Sequence, residues 1–278
     1  TKKDLSSWKT IQRKTICKKY KGYDVCGFPP PTSGGVGVLQ ILGILENIEI
    51  NFDPLNTVLD EHLFLEAARL AYADRNIYIA DPNFFEVPLK DLLDNKYLKK
   101  RSTLIKIKKA SKEVTHGNFQ GFKGSSLSIG KNFDFPSTTH ISIIDNNGNA
   151  AALTSSIEFA FGSGKTVGGF FLNNQLTDFS FASHNKNGDL IANSVAAKKK
   201  PRSSMAPTLV FKDSKLVGVL GSPGGSRIIC YVAQSLYYLI NFNMKLEKVM
   251  ELPHLCSRGR TSEIEAVQTG DEISEQLT

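Results

Sequence analysis

The sequence predicts an α/β (α+β) fold in which layers of helix enclose paired antiparallel sheets. Three observations predict it. Long helical apolar periodicities come first, hairpins bounded by turn residues follow, and a helix apolar nearly all round closes the series. The 278 residues suffice for a large core in one or two domains. No stretch of about 18 apolar residues exists to form a spanning helix. The chain begins at Thr1 without a charged-then-apolar leader, which leaves the compartment open.

The elements follow in order. Thr1 to Lys21 is polar and basic and reads as the remainder of an upstream element. Tyr23 to Phe28 suits a short strand, and Pro29-Pro30-Pro31 forces an extended turn. Thr32 and Ser33 are candidate N-caps for a helix over Val36 to Glu46, with Val38, Leu39, Leu42 and Leu45 on one face. Asp53-Pro54 breaks the chain. A longer helix spans Thr57 to Asp74, with Leu59, Leu63, Ala67 and Leu70 at helical spacing. His62 and Glu66 stand one turn apart on it. Without a second ligand cluster they read as a surface pair rather than a metal site. Leu92 to Arg101 is a further short helix with basic residues at its C-terminal end. A polar loop over roughly Ser111 to Lys131 leads to Ser137.

Thr138 to Asp145 then alternates β-branched and polar residues as a strand. Asn146 to Asn149 carries an Asn-Gly pair suited to a tight turn, and Ala150 to Ile157 returns. Gly162 to Gly169 is a glycine-rich turn region without a phosphate-loop pattern. Phe170 to Leu172 starts a strand, and Ser183 to Asp189 is a polar loop. Pro207 to Phe211 and Leu216 to Leu220 form another hairpin. Gly221 to Gly225 turns into a helix over Ser226 to Asn241.

Net charge is +7, split as +6 before Thr138 and +1 from it onward. The excess sits in Lys2 to Lys21 and Lys96 to Lys112. These patches lack interleaved aromatic residues and any recognition motif, so they read as solvated surface rather than a nucleic-acid interface. None of the four cysteines, Cys17, Cys26, Cys230 and Cys256, forms a CxxC pair. Cys17 and Cys26 suit either a bridge in an oxidising compartment or buried free thiols.

Several segments carry a resemblance: Thr138-Thr139-His140, Phe161-Gly162-Ser163-Gly164, Leu172 to Ser180 (LNNQLTDFS), Pro201 to Thr208 (PRSSMAPT) and Gly221 to Arg227 (GSPGGSR). Phe28 to Gly35 (FPPPTSGG) and Ala71 to Arg75 (AYADR) lie upstream. Together, over about Tyr20 to Ser257, the chain resembles the γ-glutamyltranspeptidase (glutathione hydrolase) family of N-terminal-nucleophile hydrolases. The resemblance implies an αββα four-layer sandwich, here incomplete. Residues 1–137 would be the C-terminal part of a large-subunit-like region, and residues 138–278 a small-subunit-like region.

The implied chemistry is self-cleavage between Ser137 and Thr138. Thr138 then holds both a hydroxyl nucleophile and an α-amino base, whose ordinary pKa of about 7.7–8.0 leaves a useful neutral fraction. Ser156 matches the hydroxyl that bonds the nucleophile. Gly224 and Gly225 match the oxyanion glycines, ahead of a helix N-terminus. Gln175 and Asp178 match residues that hold the substrate ammonium, and Ser203 and Ser204 match those that hold its carboxylate. Glu158 stands where many members have Asn, which also admits a glutaryl or β-lactam side-chain acylase. His140 shares a strand face with Thr138 and reads as structural.

The resemblance further implies no metal or cofactor, two subunits from one precursor, and a small γ-glutamyl substrate such as glutathione. The acceptor would be an amino acid, a peptide or water, and the location periplasmic or secreted. The family's carboxylate-binding arginine falls in an upstream portion, and its small subunit runs past Thr278. Both features lead to the expectation of a chain truncated at each end, with Ser203 and Ser204 lacking a guanidinium partner and an inactive remnant as a possible outcome.

Overall fold

The computed structural model describes residues 1–49, 57–119 and 137–266. The Asp53-Pro54 break and the loop over residues 120–136 lie outside the described residues. Two helices open the first half after a short exposed one, α1 (Lys2–Ser7). α2 (Gly34–Leu45) is buried along its whole length. α3 (Thr57–Tyr78) packs against it. Burying side chains such as Leu39, Ile41, Leu42 and Ile44 stabilises the fold by about 1.5–3 kcal/mol each.

The region before Ile16 is exposed, but Ile16–Tyr20 corrects the reading of Thr1 to Lys21 as a ragged end. It is a strand, β1, paired with β2 (Tyr23–Gly27). Its lysines obscure the pattern: Tyr20 is buried while Cys17 and Lys19 face outward. The helix expected over Leu92 to Arg101 is two pieces, α4 (Leu89–Leu92) and α5 (Asn95–Ser102). Asp94 causes the break, since its carboxylate accepts from the N–H groups of Lys96 and Tyr97 and caps α5.

The hairpin beyond Ser137 is β3 (Thr139–Ile144) and β4 (Ala150–Ser155), in register from Thr139 opposite Ser155 to Ile144 opposite Ala150. Asp145 holds its turn by accepting from the N–H groups of Asn147 and Asn149. Two-residue strands β5 (Thr166–Val167) and β6 (Phe170–Phe171) follow. The second hairpin, β7 (Thr208–Lys212) and β8 (Lys215–Leu220), joins β1 and β2 in a four-stranded antiparallel sheet of order β1-β2-β7-β8. α6 (Ile228–Asn241), α7 (Leu246–Glu251) and the pair β9 (Leu255–Ser257) and β10 (Ser262–Ile264) complete the described chain. α2 lies between the sheet and the helices α3, α5 and α6. Segments from both sides of Thr138 therefore share one core.

His62 and Glu66 part company. His62 Nε2 bonds the Lys106 carbonyl, while Glu66 is buried in an ion pair with Arg69 at 2.5 Å. The surface-pair reading is corrected for Glu66. The lysines of the two basic segments are mostly exposed. The cysteines resolve into two disulfides: Cys17–Cys26 across β1 and β2, and Cys230–Cys256 between α6 and β9. Among the described residues, no helix is long and apolar enough to cross a membrane.

The unfolded protein should titrate no free thiol before reduction. Replacing Cys230 and Cys256 together by alanine should cost roughly 3–4 kcal/mol in urea unfolding, the loop-closure value for a bridge of this span. Free thiol from these cysteines in the non-reduced protein would contradict the pairing.

Candidate active site

The site begins at the turn after β2. Thr32 and Ser33 are tied to a segment far along the chain. Thr32 Oγ1 donates to the Met205 carbonyl at 2.7 Å, and Ser33 donates to the Ser203 carbonyl from both N–H and Oγ. Gly34 must be glycine, because a Cβ there would meet the Met205 carbonyl oxygen at 2.2 Å. The end of α3 supplies Arg75. Its Nε donates to Ser33 Oγ and its Nη2 to Ser204 Oγ, each at 2.7 Å. Arg202 is buried behind it and caps α3, donating to the carbonyls of Arg75, Asn76 and Ile79.

Opposite this floor stands the β3–β4 hairpin. Thr138 and Ser156 flank the Thr139–Ser155 pair that ends the ladder. Thr138 Oγ1 donates to Ser156 Oγ at 3.4 Å, and Ser156 Oγ donates to the Ser137 carbonyl at 2.8 Å. Ser156 Oγ also accepts from the Glu158 N–H at 2.9 Å, so its one donor and two acceptor positions are filled. Glu158 has a φ of +75°, a left-handed backbone that Asn tolerates better than Glu. A 3-10 turn, Gln175–Asp178, brings up two more side chains. Gln175 Nε2 donates to Glu158 Oε2 at 3.0 Å and to Asp178 Oδ2.

These residues line one polar cleft of about 30 Å³: Thr138, Ser156, Glu158, Gln175, Asp178, Ser203, Ser204 and Gly225 all take part, with Arg75 among them. Gly225 has a φ of +59° and Gly224 one of +133°. Gly224 stands behind the cleft, where a Cβ would strike the Tyr231 ring. His140 lies one step along β3, bonding Thr154 Oγ1 at 2.8 Å and Ser142 Oγ at 3.0 Å.

The whole chain, residues 1–278, matches the sequence family described as gamma-glutamyltranspeptidase. The chain belongs to that family. It is 38% identical over 263 residues to the glutathione hydrolase proenzyme of Escherichia coli (strain K12), covering 91% of this chain and 43% of that protein. It is 35% identical over 264 residues to the Acylase ACY 1 proenzyme of Pseudomonas sp. (strain V22), covering 94% of this chain and 44% of that one. All of it superposes on 47% of a cephalosporin acylase from Bacillus halodurans, with a TM-score of 0.82 and 23% sequence identity. The chain thus shares the fold of that acylase, α+β as expected. The chain spans less than half the length of the curated relatives it matches.

Within this gamma-glutamyltranspeptidase-family site, one expectation is corrected. Ser204 does have a guanidinium partner, Arg75, held between Ser33 and Ser204. The sequence offered a signal for it: Asp74 and Arg75 are adjacent charges in an otherwise apolar stretch. Asp74 turns inward to Arg101, Tyr97, Gln40 and the Gly117 N–H, and Arg75 turns to the cleft.

Burial holds the Asp178 carboxyl above the usual aspartate range. Hydrogen bonds from Gln175 and Glu158 and the charges of Arg75 and Arg202 oppose that shift. Burial likewise lowers His140. Folded Asp178 therefore keeps its proton more tightly than an unfolded aspartate near 3.8. The stability it contributes is complete below that value and is lost as pH rises through the raised folded value. Asp178→Asn should remove this part of the fall in urea-measured stability above pH 4 or so, leaving the parts due to Asp60 and Asp74, which burial also raises. An unchanged slope would show that the Asp178 charge is not desolvated.

Proposed function

We propose that this chain carries the catalytic half-site of a γ-glutamyl transferase and hydrolase that acts through a Thr138 ester after cleaving itself at Ser137–Thr138. The observation that carries the reading is the hydroxyl relay from Thr138 through Ser156 to the Ser137 carbonyl. A donor already set on that carbonyl oxygen stabilises the negative charge that develops when Thr138 Oγ attacks the carbonyl carbon. The C–N bond then breaks, the freed Thr138 nitrogen takes the proton lost by the hydroxyl, and water hydrolyses the resulting ester. What remains is a residue that carries its own base.

In the cleaved site Asp178 and Gln175 would face a substrate ammonium, and Ser203, Ser204 and Arg75 its carboxylate, through charge-assisted bonds. Gly225, with Gly224 behind it, offers backbone N–H groups to the tetrahedral oxyanion. In the second half-reaction the acyl group passes to water or to an amine. The large and small subunits would meet at the Ser137–Thr138 bond, with Thr138 opening the small one. A periplasmic or secreted location accords with two disulfides.

A second reading keeps the nucleophile and changes the acyl group. Glu158 and Asp178 are bridged by Gln175, so the ammonium end holds two carboxyl groups. Sharing a proton, such a pair can accept a chain end without an ammonium, as in a glutaryl amide. Relative turnover of γ-glutamyl and glutaryl anilides decides between the two.

Purified full-length protein should resolve into two chains by mass spectrometry, the smaller starting at Thr138. Thr138→Ala should stop both cleavage and release of p-nitroaniline from a γ-glutamyl anilide. Ser156→Ala should slow cleavage by about 10²–10³-fold, the usual loss for one oxyanion donor. An unbroken chain that still turns over the anilide would overturn the reading.

A further inference from the structure

We infer that a separate cavity, between α3 and the β9–β10 turn, binds an organic phosphate ester, and that its occupancy reaches the catalytic cleft through Arg258. The binding stands on the geometry of the cavity. The coupling rests on the acyl-threonine reading above. The cavity measures about 370 Å³, within the range of about 300–1,000 Å³ usual for small-ligand sites. It shares no lining residue with the cleft.

Three walls enclose it. Arg69, Ala73 and Asn76 stand at helical spacing on one face of α3, residues 112–116 form the second wall, and Arg258 to Arg260 form the third. These walls are fixed before anything binds. Arg69 Nε donates to the Gly259 carbonyl at 2.8 Å and its Nη1 to the Ser111 carbonyl at 2.7 Å, so one guanidinium ties all three together. Arg101 Nη2 holds the Thr115 carbonyl at 2.8 Å, and Asp74 accepts from the Gly117 N–H at 2.8 Å.

The chemistry of the occupant follows from charge. Every wall contributes cations: Arg69 the first, Lys112 the second, Arg258 and Arg260 the third. Glu66 answers Arg69, and Glu263 answers Arg258. Beyond these pairs, Arg69 Nη2 and the Lys112 ammonium bond nothing among the described residues. Arg260 has an exposed contact with Glu113 at 3.5 Å, which an incoming anion displaces at little cost. Donors from three directions suit a tetrahedral oxyanion, whose three free oxygens point three ways, better than a carboxylate with two oxygens in one plane. A bare phosphate ion would leave most of the space empty, and Ala73 and Val114 offer apolar surface, so the phosphoryl group carries an organic body.

Arg258 links this cavity to the cleft. Its Nε donates to Glu263 Oε1 at 3.0 Å, and its Nη1 donates to Ser226 Oγ. Ser226 follows Gly225 and lines the cleft. A phosphoryl oxygen that competes for the Arg258 guanidinium weakens its hold on Ser226 and loosens the turn that carries Gly224 and Gly225. The ligand thus favours the looser of two arrangements of that turn.

Calorimetry on the full-length protein with phenyl phosphate, inorganic phosphate and benzoate tests the site. Phenyl phosphate should bind, and benzoate should bind about 10–100-fold more weakly, the usual worth of a charge-assisted bond. Inorganic phosphate should also bind more weakly than the ester. Lys112→Gln and Arg260→Gln, both at exposed positions, should together weaken phenyl phosphate by about 4–25-fold. Saturating phenyl phosphate should slow p-nitroaniline release from the γ-glutamyl anilide about fivefold or more, the low end of usual coupling between sites. Ser226→Ala should keep the binding and remove that effect. Absence of binding, equal binding of benzoate, or binding untouched by the double variant sinks the site. Inorganic phosphate binding as tightly as the ester removes the organic body from the assignment. Binding that leaves the release rate unchanged sinks the route through Arg258. If the wild type releases no p-nitroaniline at all, the acyl-threonine reading falls with the coupling, and calorimetry still decides the cavity.

Discussion

A buried knot of hydrogen bonds around Arg75 holds the site together. Its guanidinium spans Ser33 and Ser204, and Ser33 in turn holds the Ser203 carbonyl. Three segments separated by dozens of residues meet there. Each buried donor left without its acceptor would cost about 1–3 kcal/mol, and a charged one more. The knot therefore specifies one arrangement of α3, the turn before α2 and the segment before β7. Arg202 adds to it from behind by capping the helix that carries Arg75. Ser203 and Ser204, which line the cleft, have little freedom left.

The opposite wall depends on register. Side chains alternate along a strand, so a slip of one residue in the β3–β4 pairing would turn Thr138 and Ser156 away from the cleft. The Asp145-to-Asn149 turn sets that register through the Asp145 carboxylate, whose bonds to two N–H groups close the loop at fixed length. The hydroxyl relay at one end of the hairpin is thus governed by a turn at the other. Glu158 pins the relay in a different way: its left-handed backbone points its N–H back at Ser156. That conformation costs free energy for a residue that is neither Gly nor Asn.

Much of this was legible in the sequence because the signals were local. Apolar spacing marked α2, α3 and α6, and the Asn-Gly pair marked the β3–β4 turn. Thr138, Ser156 and the polar residues Glu158, Gln175, Asp178, Ser203 and Ser204 came from ordered motifs, and all of them line one cleft together with Gly225. What escaped was set by long-range contact. β1 is legible only once β2 lies beside it, because its lysines hide the alternation. Glu66 is buried because Arg69 and the Ser111 N–H neutralise it, which a helical spacing cannot announce. The split between α4 and α5 is local, yet it rests on one capping aspartate inside a helix-favouring run. Arg75 was passed over because its partners, Ser33 and Ser204, lie far from it in the chain.

Charge balance connects the knot to the hairpin. Two guanidinium groups, Arg75 and Arg202, sit across from two carboxyl groups, Glu158 and Asp178, and each set moderates the desolvation of the other. Such a site is nearly neutral as a whole but strongly polarised from end to end. A zwitterion fits that field better than any singly charged group, since its ammonium and carboxylate each meet the opposite sign. A glutaryl group has only its carboxylate to offer, and it leaves the two acidic side chains to settle a proton between themselves. On the function proposed above, the extra carboxyl of Glu158 would tighten the grip on an ammonium when both acids are ionised and relax it when one is not, so that protonation at one end of the cleft would select the acyl group.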